Sequence, residues 1–194
     1  MVLMYTPIDL PAMDYNRDEF IKWHESKRKR NQDNIGYTSK DFIAPWMVSF
    51  AYHKDFGLDI TILRYFGGFS ERSSFTWSGG HIPVFIQQIL NNQEVTIHGD
   101  GLQTRSMGHA SDLARGTYLT MQSKKSSGEV INIGNDQELT VLDTAYLIAK
   151  ILGKSKDEIK LKFIPEKEIY GSYEDLRRRI PDLAKAKKIL NYEP

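Results

Sequence analysis

Between Thr140 and Gly153 the apolar residues Leu142, Ala145, Ile148, Ala149 and Leu152 recur at three- and four-residue intervals. That spacing marks one face of an amphipathic helix, with Thr140 as its N-cap and Gly153 as its stop. A second stripe runs through "IPVFIQQILNN", where Phe85, Ile86, Ile89 and Leu90 are expected to face inward. Pro83 there falls in a first turn, where proline is tolerated. In "FIAPWMVSFAYHKDFG", Phe42, Trp46, Phe50 and Phe56 share a helical side, Pro45 limits the helix backwards and Gly57 ends it. "DLARGTYLTMQS" reads as a helix capped by Ser111 and Asp112, and "PDLAKAKKILNYEP" as a short one with Asp182 capping and Leu183, Ala186 and Leu190 inward.

The strand signals fall between these helices. "DITILRYF" is a β-rich run bounded by Gly57 and Gly67-Gly68, "EVTIHG" alternates with period two, and "GEVINIG" and "IKLKFIP" are short apolar runs closed by glycine or proline. Strands and helices alternate without internal repeats, so the predicted class is α/β. The polar, glycine-rich loop from Gly67 to His81 is longer than a plain connection needs, which points to a functional loop. Gly99-Asp100-Gly101 is turn chemistry for left-handed backbone, and a tight hairpin with Arg105 on its second strand is expected. Residues 1–40 form a polar segment set apart from residues 41–194, which carry the patterned elements.

Composition narrows the chemistry. The chain has 194 residues, enough for one domain with a sizeable core. It has no cysteine, which excludes disulfides, thiolate metal sites and cysteine nucleophiles and favours a reducing, cytoplasmic setting. Net charge is +1, so nothing global argues for nucleic acid as a partner, and the run Lys27-Arg28-Lys29-Arg30 reads as a solvated face. No apolar run reaches the roughly 20 residues that span a bilayer, so no membrane association is expected.

Among the five histidines (His24, His53, His81, His98 and His109), His109 has a carboxylate one helical turn away, Asp112. Both stand at a predicted helix start, where capping explains them, and no metal is expected. A calcium loop at 99–105 lacks the spread of oxygen ligands. Arginine is more informative: Arg105 after the turn, and Arg177-Arg178-Arg179 before the last helix. Guanidinium forks from two loops suit a diphosphate; the competing reading is surface ion pairing with Glu174 and Asp175. The fingerprint G-x-G-x-x-G of a dinucleotide fold does not occur in the sequence.

From Ala51 to Pro194 the chain resembles the C-terminal half of the extended short-chain dehydrogenases, the NAD-dependent nucleotide-sugar epimerase, dehydratase and decarboxylase family. The resemblance rests on an ordered series: "AYHKDFGLDITILRYF", "IPVFIQQILNNQEVTIHGDGLQTRSMGHASDLARG", "EVINIG" with "ELTVLDTAYLIAKILG", and "RRRIPDLAKAKKILNYEP". It implies a partial Rossmann-like fold, comprising late sheet strands and a small substrate-binding subdomain. It also implies a nucleotide-diphosphate sugar as ligand and NAD as cofactor.

By the same resemblance Arg105 contacts the diphosphate and one of Arg177 to Arg179, with Arg178 favoured, supplies a second clamp. Arg72, Ile82 and Pro83 line the sugar-nucleotide pocket, and His109 and Asp112 are architectural. The family's Tyr-x-x-x-Lys pair, whose tyrosine moves a proton as NAD takes a hydride, has its nearest counterpart in "YTSK", Tyr37 and Lys40, one residue short. The family's "RYFNVYGPR" pattern stands here as "RYFGGFSER". Two readings stay open: a partial or divergent nucleotide-sugar-modifying enzyme, and a non-catalytic nucleotide-sugar-binding module or fragment. The second would need a separate polypeptide bringing the NAD-binding half. Homo-oligomerisation is open as well.

Overall fold

A computed structural model describes residues 2–5, 49–76, 80–170 and 176–194. Tyr37, Lys40, most of the segment 1–40 and the acids Glu174 and Asp175 lie outside these residues.

Three strands, β1 (Val2–Tyr5), β2 (Thr61–Tyr65) and β7 (Val130–Ile133), form a parallel sheet in the order β1-β2-β7. Along β2, Thr61, Ile62 and Leu63 are buried in succession, the pattern of a strand covered on both faces. A helical segment over 49–56, α1, leads into β2 and ends at Gly57, whose φ of 64° is the left-handed stop that the sequence signals. Helices α3 (Ala110–Gln122) and α6 (Ala184–Leu190) pack on the sheet. The core between them gathers Leu63, Ile131, Ile133, Leu183, Ala186, Leu190 and Tyr192.

A second core lies between helices α2 (His81–Leu90) and α4 (Val141–Ile151) and strand β4 (Val95–His98), which pairs in parallel with β9 (Leu161–Ile164). It contains Ile82, Phe85, Ile89, Val95, Ile97, Ala145, Ile148 and Ala149. A five-residue helix, α5 (Glu166–Tyr170), follows β9. Two small sheets join the halves. One has the order β10-β5-β8, from Arg178–Arg179, Thr104–Arg105 and Leu139–Thr140; the other pairs β3 (Gly68–Phe69) with β6 (Gly108–His109). The result is the α/β architecture expected, and no helix of the described residues is long and apolar enough to cross a membrane.

Local signals held in several places. Thr140 Oγ1 accepts the Asp143 N–H at 2.9 Å and donates to Asp143 Oδ2, and Gly153 takes φ 77° at the far end of α4. Asp182 Oδ1 accepts the Ala184 N–H at 2.8 Å, although the N-cap position of α6 is Leu183, one residue further on.

Four expectations need correction. Leu90 is 59% exposed, because one residue past Ile89 turns about 100° away from the core face. Phe56 is 70% exposed, with its ring against that of Tyr52 on the solvent side of α1. The cap of α3 is His109, whose Nδ1 accepts the Ser111 N–H at 3.3 Å; Ser111 and Asp112 already lie inside the helix. Finally, the strands on either side of Gly99-Asp100-Gly101 do not form a hairpin. β4 pairs with β9, while β5 pairs with β10 and β8, so the turn hands the chain from one sheet to another.

Candidate functional site

The turn at 99–101 determines where Arg105 stands. Gly99 and Gly101 take φ 68° and 75°, and Asp100 Oδ1 accepts the Leu102 N–H at 2.9 Å, an Asx turn. Gly101 O and Gln103 O accept the Leu142 and Val141 N–H groups, which docks the segment on the start of α4. Gln103 Nε2 closes the turn by donating to His98 O at 2.8 Å. The chain then enters β5 as the central strand of the β10-β5-β8 sheet.

Arg105 is 7% exposed, an unusual environment for an arginine. Its guanidinium donates to Thr104 O at 2.8 Å and to Leu176 O at 2.7 Å, so its orientation is held by backbone on both sides. In the parallel pair β10–β5, Arg178 is opposite Thr104 and Arg179 is opposite Arg105.

The arginine triplet divides its work. Arg177 makes a fork on Asp100, at 2.9 and 2.8 Å, which ties β10 to the glycine turn. That hydrogen-bonded fork holds the Asp100 carboxyl below the usual carboxylate range. Arg178 makes a second fork on Glu138, with contacts of 3.0, 3.2 and 2.8 Å, and holds that carboxyl low in the same way. Arg179, half-buried, is the member brought beside Arg105.

The start of α2 faces the same region. Its N-cap, Gly80, has φ 89°, bears no side chain and has open space where a Cβ would stand; no acid lies in the first turn. Backbone N–H groups at such an end attract anions. Ile82 and Pro83 are both buried, so what this turn offers a ligand comes from the backbone and from His81. The Nε2 atom of His81 is buried with no hydrogen-bond partner. Burial, then the charges of Arg105, Arg179 and His98, pull its pKa down to about 4. Two more buried polar atoms without a partner, Gln103 Oε1 and Ser106 Oγ, flank Arg105 along the chain. Buried polar atoms are normally satisfied, so several near one buried arginine are unusual.

Arg72 is exposed on the loop after β3, and its N–H donates to Ser70 Oγ at 3.3 Å. The glycines of "RYFGGFSER" have a packing reason. A Cβ on Gly67 would meet Met107 Sδ at 2.5 Å and one on Gly68 would meet Leu113 Cδ1 at 2.7 Å, where β3 and β6 close together. His109 was read as architectural, and besides its cap it stacks edge-on with Phe69 at 5.5 Å. His81 was missed as a site residue; the signal available was a helix start preceded by Gly79-Gly80 with neither a capping side chain nor an acid.

A parallel α/β sheet joined to a small subdomain that presents a buried, oriented arginine is the build of a Rossmann-like epimerase or dehydratase. A profile of the NAD dependent epimerase/dehydratase family matches residues 27–134, more than half of the chain. The chain belongs to that family. UDP-glucuronic acid decarboxylase 1 of Danio rerio is 37% identical over 147 residues, covering 76% of this chain and 32% of the relative. UDP-N-acetyl-alpha-D-glucosaminuronate decarboxylase of Bacillus cytotoxicus is 32% identical over 139 residues, covering 71% of this chain and 42% of the relative. Among solved structures, UDP-glucuronic acid 4-epimerase from Bacillus cereus, in complex with UDP-glucuronic acid and NAD, superposes with a TM-score of 0.72 at 26% identity, covering 100% of this chain and 55% of that one. UDP-glucose 4-epimerase from Thermotoga maritima, with UDP-glucose, gives 0.68 at 30% identity, with 78% and 46% covered. The chain thus spans about a third of the Danio relative and about half of these two structures.

Proposed function

We propose that this chain binds the diphosphate of a nucleotide sugar, with a UDP-sugar as the first candidate, and forms the substrate-binding part of a nucleotide-sugar-modifying enzyme. The observation that carries this reading is Arg105, a buried guanidinium oriented by two backbone carbonyls beside a second arginine and an uncapped helix start. The relatives named above carry UDP-sugars in their names or complexes, which supports the choice of base.

Arg105 anchors the diphosphate in this reading. The second clamp passes from Arg178 to Arg179, since Arg178 already forks on Glu138 and Arg179 stands opposite Arg105. Ile82 and Pro83 shape the pocket through backbone, and Arg72 approaches from the loop as an exposed charge. Tyr37 as acid–base group and Lys40 as its activator complete the proposal, as does a cytoplasmic location, favoured by the absence of cysteine. NAD is the family's cofactor and supplies hydride transfer when bound. Gly67 and Gly68 do not fit its pyrophosphate, because Met107 and Leu113 close over them.

The alternative, a binding module that needs a separate NAD-binding half, is favoured by the lack of G-x-G-x-x-G in the sequence. One experiment separates the two readings: thermal unfolding with UDP-, dTDP- and GDP-sugars, each with and without NAD. A ligand at 100 times its dissociation constant adds about 2.7 kcal/mol. A shift with UDP-sugars alone supports binding, and a further shift with NAD supports an enzyme. No shift with any nucleotide sugar overturns both.

A further inference from the structure

We propose that His81 is a third ligand of the diphosphate held by Arg105 and Arg179, and that its imidazole takes up a proton from solvent as the anion binds. This rests on the reading of the site as a diphosphate site and adds a proton-coupled contact to it.

Two independent features meet at His81. The first is the start of α2: ten residues long, with a glycine N-cap at φ 89°, open space at that glycine and no first-turn acid. The second is the ring itself, packed 5.4 Å from Phe85 with a buried Nε2 that no protein atom satisfies. An unsatisfied buried nitrogen costs free energy that a ligand oxygen would recover.

Three basic side chains from other elements contribute to the field at the ring. Arg105 comes from β5, Arg179 from β10 and His98 from the end of β4, and on its own helix the neighbour is the apolar Phe85. Together with burial they keep the free imidazole neutral, with a pKa of about 4. Neutral His81 can give an anionic oxygen one N–H at most, and only in the right tautomer. A diphosphate bound there adds negative charge beside the ring, so the bound ring is favoured in its charged form. The sign follows from linkage. The pKa is higher in the complex than in the free chain, so binding takes up protons and tightens as pH falls through the complex's pKa toward that of the free chain.

The test is calorimetric titration of the intact chain with UDP-glucose, whose diphosphate diester keeps its charge across the range. At about pH 6.5 it is run in two buffers of different ionisation enthalpy, and then from about pH 7.5 down to about pH 5.5. The expected results are a net uptake of a sizeable fraction of a proton and an affinity roughly threefold or more tighter at the acid end. His81→Gln, which keeps a neutral polar tip, should abolish the uptake and flatten the profile. Binding with no buffer dependence and a flat profile in the wild type overturns the role of His81 and leaves the diphosphate site standing. A profile unchanged in His81→Gln also overturns it, since another group then titrates. No binding at any pH overturns the site and this inference together. The wild-type uptake needs no variant, so a poorly folding His81→Gln does not rescue the proposal.

Discussion

Arg179 stands directly opposite Arg105 in the parallel pairing of β10 with β5. Arg105 lies on the central strand of that three-stranded sheet and Arg179 on its edge strand, and a backbone oxygen from Leu176, just before β10, accepts from the Arg105 guanidinium. Their neighbours Arg177 and Arg178 pair with Asp100 and Glu138.

This division predicts different outcomes across the triplet. Arg178→Ala should leave nucleotide-sugar affinity nearly unchanged, because an exposed ion pair contributes little. Arg179→Ala should weaken it by about tenfold or more, the usual loss for one charge-assisted contact. Titration calorimetry on the two variants decides between them.

The position of Arg105 depends on Gly101, whose left-handed backbone only glycine adopts freely. Its φ is 75°, and an added Cβ would meet Ile97 Cγ2 at 2.8 Å and Leu142 Cβ at 3.2 Å. Gly101→Ala should cost about 1–3 kcal/mol, from left-handed strain and overpacking. Melting measured by circular dichroism should fall by about 2–4 °C for each kcal/mol lost.

The C-terminal Tyr192 is fully buried, and its hydroxyl donates to Gly134 O at 2.9 Å. Desolvation, then the Asp112 charge, pushes its pKa up to about 12. A phenol that is harder to ionise when folded stabilises fully below its unfolded pKa of 10.0, and that contribution is lost as pH rises toward about 12. Tyr192→Phe should cost about 1–2 kcal/mol at neutral pH by leaving the Gly134 carbonyl unpaired, and should remove this alkaline loss. Denaturant unfolding across the alkaline range measures both.

On the acid side His81 acts with the opposite sign. Its folded pKa of about 4 lies below the ordinary 6.5, so the stability from keeping it neutral is present above 6.5 and lost as pH falls toward about 4. His81→Phe should flatten the stability profile of the ligand-free chain in that window, which urea midpoints as a function of pH would reveal.

Much of this was legible wherever a signal is local. The Thr140 cap, the Gly153 and Gly57 stops and the left-handed turn at 99–101 each follow from one residue's backbone or side-chain chemistry. The inward face of α4 follows from period alone. Pairing was not legible: turn chemistry specifies a reversal but not the partner, so β4 and β5 were expected to meet and instead join different sheets. Nor does sequence show which arginine of three faces inward, because a two-residue strand has no readable phase. Tyr192 follows the end of α6, beyond the helical stripe that would mark it as core.

The most direct test of the central claim is titration of UDP-glucose against the wild-type chain and Arg105→Lys. Lysine keeps the buried charge but loses the planar fork. The account predicts a single site in the wild type, weakened about tenfold or more in Arg105→Lys while the melting temperature stays close to wild type. Equal affinities in two folded proteins would contradict it, and would place the nucleotide somewhere other than beside Arg105.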